Sequence, residues 1–157
     1  MKTTMVAMTE GHLDAVMVHE KTMFGTEAWS RNSYRDELRD TVTRRYFAVL
    51  DDEGDLLGWG GVRVVGDEAE ILTVGVVPAA RRHGVGSMLV AALLADAARR
   101  GATEIFLEVR VDNDAARSLY LANGFEKIGI RRGYYDAGRV DAVTMHKRLH
   151  VATGASS

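Results

Sequence analysis

Between Leu13 and Phe24 the residues Leu13, Val16, Met17, Glu20 and Phe24 recur three and four apart, the spacing of one helix face. Thr9 stands ahead of that face as an N-cap type, and "TTMVAM" before it reads as a first strand. "GTEAW" breaks the helical period, and Ser30 opens a second, shorter helix through Tyr34 and Leu38. The pattern then changes. "RRYFAVLD", "LLGWGGVRVV" and "AEILTVGVV" are apolar-rich runs separated by the turns "DEGD" and "GDE", which predicts a three-stranded antiparallel meander. From Val85 to Arg100 the apolar positions Val85, Met88, Leu89, Ala92 and Leu93 return to helical spacing, closed by Gly101. "TEIFLEVRV" reads as a buried strand, and "DNDAARSLYLANG" as a helix with an Asp or Asn cap that stops at Gly124. "FEKIGIRRGYY" and "VDAVTMHKRL" close the chain as a pair of strands.

The order strand, two helices, three strands, helix, strand, helix, two strands predicts one mixed α/β domain over residues 1–150, with 151–157 as a flexible tail. At 157 residues, 46% hydrophobic and 27% charged, the chain can bury a core of its own. A net charge of −2 gives no polyanion-binding signal, so nucleic acid is not an expected partner. There is no cysteine, which excludes disulfides, thiolate metal sites and a cysteine nucleophile. That fits a reducing compartment. No apolar run approaches the ~20 residues of a membrane span, and "MKTTMVAMTEGH" lacks the apolar core of a signal peptide. The expectation is a cytoplasmic protein without a membrane partner. His12, His19, His83, His146 and His150 show no ligand spacing with carboxylates, so no metal is expected.

The chemistry concentrates in "VVPAARRHGVGSML". A strand ends at Pro78, and a glycine-containing turn leads into a helix whose first N–H groups and dipole favour an anion such as a phosphate. Gly84 and Gly86 would let backbone approach that anion without a Cβ in the way, and Arg81, Arg82 and His83 add positive charge. A solvated glycine turn is the plain alternative. The P-loop ending Gly-Lys-Ser/Thr is absent, and Leu89 stands where a dinucleotide fold needs its third glycine.

The remaining pattern, Arg-x-x-Gly-x-Gly, resembles the coenzyme A pyrophosphate loop of the GNAT family of N-acetyltransferases. "LEVRVDNDAARSLYLANGFEKIGIRRGYY" resembles the family's bacterial branch that acetylates the N-terminal alanine of a small-subunit ribosomal protein, the RimI type. The resemblance implies a mixed, mostly antiparallel sheet flanked by helices, in which the strand of Val74, Gly75 and Val76 splays from the strand of Glu108. Acetyl-CoA would lie in that gap, its pantetheine paired to Val74 and Val76, with the Val76 N–H towards the thioester carbonyl. Arg81, Arg82, His83, Gly84, Val85, Gly86 and Ser87 would hold its pyrophosphate, and Asn113 would touch the cofactor. Glu108 matches the family's general base and Tyr120 its general acid. Trp29, Tyr134 and Tyr135 match the acceptor-peptide groove.

Read from the residues alone, Glu108 interrupts the apolar run "IFLEV", which places a carboxylate beside a hydrophobic wall, where its pKa rises. It is equally a strand glutamate reaching water. Tyr120 and the Tyr134–Tyr135 pair fit core or strand packing as well, and Trp29 fits groove and core alike. Two other functions share these features: a small-molecule N-acetyltransferase on the same fold, and a coenzyme A-binding module without catalysis.

Overall fold

The computed structural model describes residues 2–150; the tail expected over 151–157 lies outside them. Strand β1 (Thr4–Ala7) leads through a single 3-10 turn at Glu10–His12 into α1 (Leu13–Phe24). Thr9 caps that turn in extended conformation, and its own N–H donates to Nδ1 of His12 at 2.9 Å. A second turn, Gly25–Glu27, separates α1 from α2 (Arg31–Arg39). The Ser30 hydroxyl caps α2 by accepting the Ser33 N–H at 3.0 Å.

The meander follows as β2 (Arg44–Leu50), β3 (Leu56–Val65) and β4 (Glu68–Val76). Then come α3 (Val85–Arg99), β5 (Glu104–Arg110), α4 (Asp114–Ala122), β6 (Glu126–Tyr135) and β7 (Val140–Arg148). All seven strands form one sheet in the order β1-β2-β3-β4-β5-β7-β6. Every neighbouring pair is antiparallel except β4–β5. The expected class, a mixed and mostly antiparallel sheet flanked by helices, is the one observed.

Helices cover both faces because the strands are apolar on both. On one face Trp59, fully buried, meets Phe24 of α1 edge-on and gives its indole N–H to the Tyr34 hydroxyl of α2 at 3.0 Å. On the other, Ile105, Leu107 and Val109 of β5 pack with Val90, Leu93 and Ala97 of α3 and with Tyr120 and Phe125.

The irregularity that shapes the function lies in β4. Its pairing with β3 runs Thr73↔Gly61 and then Ile71↔Val62, which leaves Leu72 as the extra residue of a β-bulge. On its other side β4 pairs with β5 only at Glu68↔Glu104, Ala69↔Ile105 and Glu70↔Phe106. A bulge bends and twists its strand. Pairing to β5 stops at Glu70, two residues before it, and the two strands part. That is the expected splay, opening at Ile71 and Leu107.

Candidate active site

The splay leaves backbone without a partner strand. Val77 N–H donates to Leu57 O at 2.9 Å, so Val77 and Leu57 form a hydrogen-bonded pair of the β3–β4 ladder. Hydrogen-bonded and non-bonded pairs alternate in an antiparallel ladder. Val76 (opposite Gly58) and Val74 (opposite Gly60) therefore turn their N–H and C=O away from β3, into the gap. Gly75 does the reverse. Its backbone faces β3, and a Cβ there would sit 2.8 Å from the Trp59 ring. Of the three strand residues expected at the cofactor, Val74 and Val76 present backbone to the gap, and Gly75 serves the fit of Trp59.

Two cavities meet at the gap. One, of about 510 Å³, is roofed by the end of α1 and the loop to α2 (Phe24, Glu27, Trp29) and walled by Val74, Glu108 and Tyr135. The other, of about 780 Å³, is lined by Val76, Arg81, Arg82, Gly84, Val85 and Gly86. Val74, Arg110, Asn113 and Tyr120 line both. Glu108 alternates with buried Leu107 and Val109 along β5 and faces the α1–α2 side, whereas Tyr120 packs with those two residues on the α3–α4 side. The parted strands thus make a window in the sheet, with a carboxylate on one face and a phenol on the other.

Tyr120 is 7% exposed, and its ring stands edge-on to Phe125 with centroids 5.7 Å apart. Burial pushes its phenol pKa upward, and nearby Tyr135 adds to the shift, so it is a protonated donor at neutral pH. Its hydroxyl makes no hydrogen bond to another described residue. Glu108 has polar company. Its Oε2 accepts the Thr144 hydroxyl at 2.6 Å, and its Oε1 lies 3.5 Å from Nη1 of Arg131. This corrects the expectation of an apolar wall: the sequence neighbours Leu107 and Val109 point to the opposite face, and the carboxylate sees β7 and β6 instead.

The loop into α3 turns on a left-handed glycine. Gly84 caps α3 in left-handed conformation (φ +79°), with open space where a Cβ would point. Arg81 and Arg82 line the second cavity, while His83 and Ser87 do not. Ser87 lies 3.5 Å from the Asn123 amide. Gly86 lines the second cavity and is also a packing position. A Cβ on it would meet Leu119 Cδ2 at 3.1 Å, so its missing side chain lets α4 pack close to α3. Asn113 caps α4, accepting the Ala116 N–H at 3.1 Å, and the residue borders both cavities.

Trp29 both lines the first cavity and packs on Tyr34, ring centroids 5.0 Å apart, so groove and core are a single place. Tyr135 lines the cavity, with its own phenol pushed up by burial. Tyr134 is exposed and outside it, under the Arg131 guanidinium.

Two features escaped the sequence reading. Glu20 is 1% exposed, borders the first cavity, and accepts the Tyr34 hydroxyl at 2.5 Å and the Trp29 N–H at 3.0 Å. Burial raises its carboxyl pKa against the pull of those two donors. The signal was a glutamate at a core position of the α1 face. Arg110 bridges Glu27 at 2.8 Å and Asp112 at 2.9 Å, tying the α1–α2 loop to β5; Glu27 lies 83 residues away, beyond any local pattern. Among the described residues no group of three or more His, Asp or Glu could hold a metal ion. No described helix is long and apolar enough to cross a membrane.

A parted β4–β5 pair, two backbone positions turned into the gap and an arginine-flanked helix start thus lie together around the two cavities. The model of the Acetyltransferase (GNAT) family matches residues 12–125. The chain belongs to the GNAT acetyltransferase family. The N-alpha-acetyltransferase RimI of Mycobacterium tuberculosis is 35% identical over 149 residues, 92% of this chain and 91% of that protein. The ribosomal protein bS18-alanine N-acetyltransferase of Salmonella typhimurium is 41% identical over 129 residues, 80% of this chain and 77% of that one. In three dimensions this GNAT domain superposes on the ribosomal-protein-S18-alanine N-acetyltransferase of Escherichia coli with a TM-score of 0.82, at 29% identity and 96% coverage of both chains. It is an acetyl-CoA-dependent N-acetyltransferase by family.

Proposed function

We propose that the protein moves the acetyl group of acetyl-CoA to the α-amine of an N-terminal alanine on a ribosomal protein, directly and within a ternary complex. The observation that carries the mechanism is the window, where Glu108 and Tyr120 approach one gap from opposite faces of the sheet. The acceptor rests on the relatives, whose names specify the alanine of bS18.

Acetyl-CoA supplies the activated acyl thioester. The residues present fit it. The unpaired backbone of Val74 and Val76 would hold the pantetheine as an added strand does, and the Val76 N–H would polarise the acyl oxygen, a role worth ~3 kcal/mol in comparable sites. The α3 N-terminus, with Arg81 and Arg82, would hold the pyrophosphate. Glu108 accepts a proton from the incoming ammonium. Tyr120, kept protonated by burial, is the donor that would serve the thiolate released from acetyl-CoA. The acceptor enters by the first cavity, between the Trp29 loop and Tyr135.

An α-amine suits a single carboxylate base. Its pKa lies about 2.5 units below that of a lysine, so the neutral nucleophile costs ~3 kcal/mol less to reach. The deciding experiment compares alanine-initiated peptides, free or blocked at the α-amine, with an internal lysine and a polyamine. We expect transfer only to the free α-amine, with Ala, Ser and Gly ahead of Leu and Phe. Faster acetylation of the lysine or the polyamine would overturn the acceptor assignment.

A further inference from the structure

We propose that Thr144 is a positioning residue for Glu108: its hydroxyl holds Oε2 and leaves Oε1 as the oxygen that accepts the proton. This rests on the reading of Glu108 as the base. Glu108 of β5 and Thr144 of β7 are directly opposite in an antiparallel pair, so their side chains stand on the same face. The hydroxyl donates to Oε2 at 2.6 Å. Glutamate has three side-chain torsions, the last of them soft, and a single short hydrogen bond at its tip fixes the plane of the carboxylate.

On its other side Thr144 pairs with Gly129 of β6, and the space where a Cβ of Gly129 would stand is open. No β6 side chain at that rung competes for the hydroxyl. The other partner of the carboxylate, Arg131, is 57% exposed and 3.5 Å from Oε1, while the Glu108 side chain is 15% exposed. A pair at that distance whose guanidinium is exposed is weak and readily displaced by an arriving ammonium. The Thr144 bond is shorter and better sheltered. Oε2 is therefore held as the acceptor approaches, and Oε1 exchanges a guanidinium for the substrate's N–H.

The variants Thr144→Val, Thr144→Ser, Glu108→Gln and the double variant E108Q/T144V separate this role from strand packing, assayed on an alanine-initiated peptide with acetyl-CoA. Valine keeps the shape and the strand propensity but loses the hydroxyl; serine keeps the hydroxyl and is the poorer strand residue. We expect kcat of Thr144→Val to fall about tenfold, with both KM values within about twofold of the parent. Thr144→Ser should stay within about twofold in kcat although it melts lower than the valine variant. E108Q/T144V should be no slower than Glu108→Gln alone, since the hydroxyl acts only through the carboxylate. Thr144→Val at parental kcat, Thr144→Ser as slow as valine, or a further tenfold loss in the double variant would overturn the inference. Parental kcat in Glu108→Gln would overturn the base assignment itself, a separate and recognisable result.

Discussion

Replacing Tyr120 by Phe removes one oxygen at the window and nothing else. The ring remains buried against Phe125 in the same edge-on contact, and no described residue loses a hydrogen-bond partner. Stability should change by no more than ~0.5 kcal/mol, which for a chain of this length moves Tm by about 2 °C or less. Chemistry should suffer far more. Loss of a positioned general acid costs on the order of 10²-fold in kcat, or ~2.7 kcal/mol of barrier, with KM for acetyl-CoA largely kept. The ratio of parent to variant kcat should also be flat from about pH 6 to pH 9, because burial keeps the phenol protonated throughout that range. The assay follows free thiol released from acetyl-CoA on an alanine-initiated peptide, beside a thermal melt of the same preparation. A kcat within about threefold of the parent would refute the general-acid role. A fall in Tm of more than ~5 °C accompanying the loss would make Tyr120 a core residue.

Gly84→Val forces a β-branched residue to φ +79°, costing ~1–2 kcal/mol in stability, and should raise KM for acetyl-CoA well beyond its effect on kcat; an unchanged KM in the folded variant would remove the loop from the cofactor site. Gly86→Ala places a Cβ 3.1 Å from Leu119, so Tm should fall and be partly restored by adding Leu119→Ala, as measured by melting; a loss of acetyl-CoA affinity with no loss of Tm would refute the packing role and leave Gly86 to the cofactor site alone. Asp40 has its carboxyl pKa lowered to about 2, first by the Thr43 hydroxyl and then by the Thr43 N–H. A carboxylate lowered in the folded state stabilises above its unfolded pKa and loses that contribution as pH falls through the folded one. Asp40→Asn should therefore melt below the parent at pH 7, with the gap closing between about pH 4 and pH 2; a gap independent of pH would refute the assignment.

Much of this protein was legible without a structure because its signals are local. The Leu13–Phe24 stripe, the Ser30 cap and the turns at "DEGD" and "GDE" each act over a few residues, the range over which propensity, capping and hydrophobic period operate. The arginine–glycine loop was recognisable for the same reason, since a helix start and a left-handed glycine are consecutive in the chain. What the tertiary structure decided is whatever depends on which strand lies beside which. Leu72 becomes a bulge only through the β3–β4 register, and that bulge parts β4 from β5. The strand order β5-β7-β6 brings Thr144 to Glu108 across 36 residues, giving the proposed base a hydroxyl partner where its sequence neighbours promised only hydrocarbon. Gly75 and Gly86 read as cofactor-site glycines in the sequence, and the side chains that also require them, Trp59 and Leu119, arrive from other elements. The opposition of Glu108 and Tyr120 belongs to the same class. Alternation along β5 and the placement of α4 on the far face put them on either side of a sheet that is open only where two strands fail to pair.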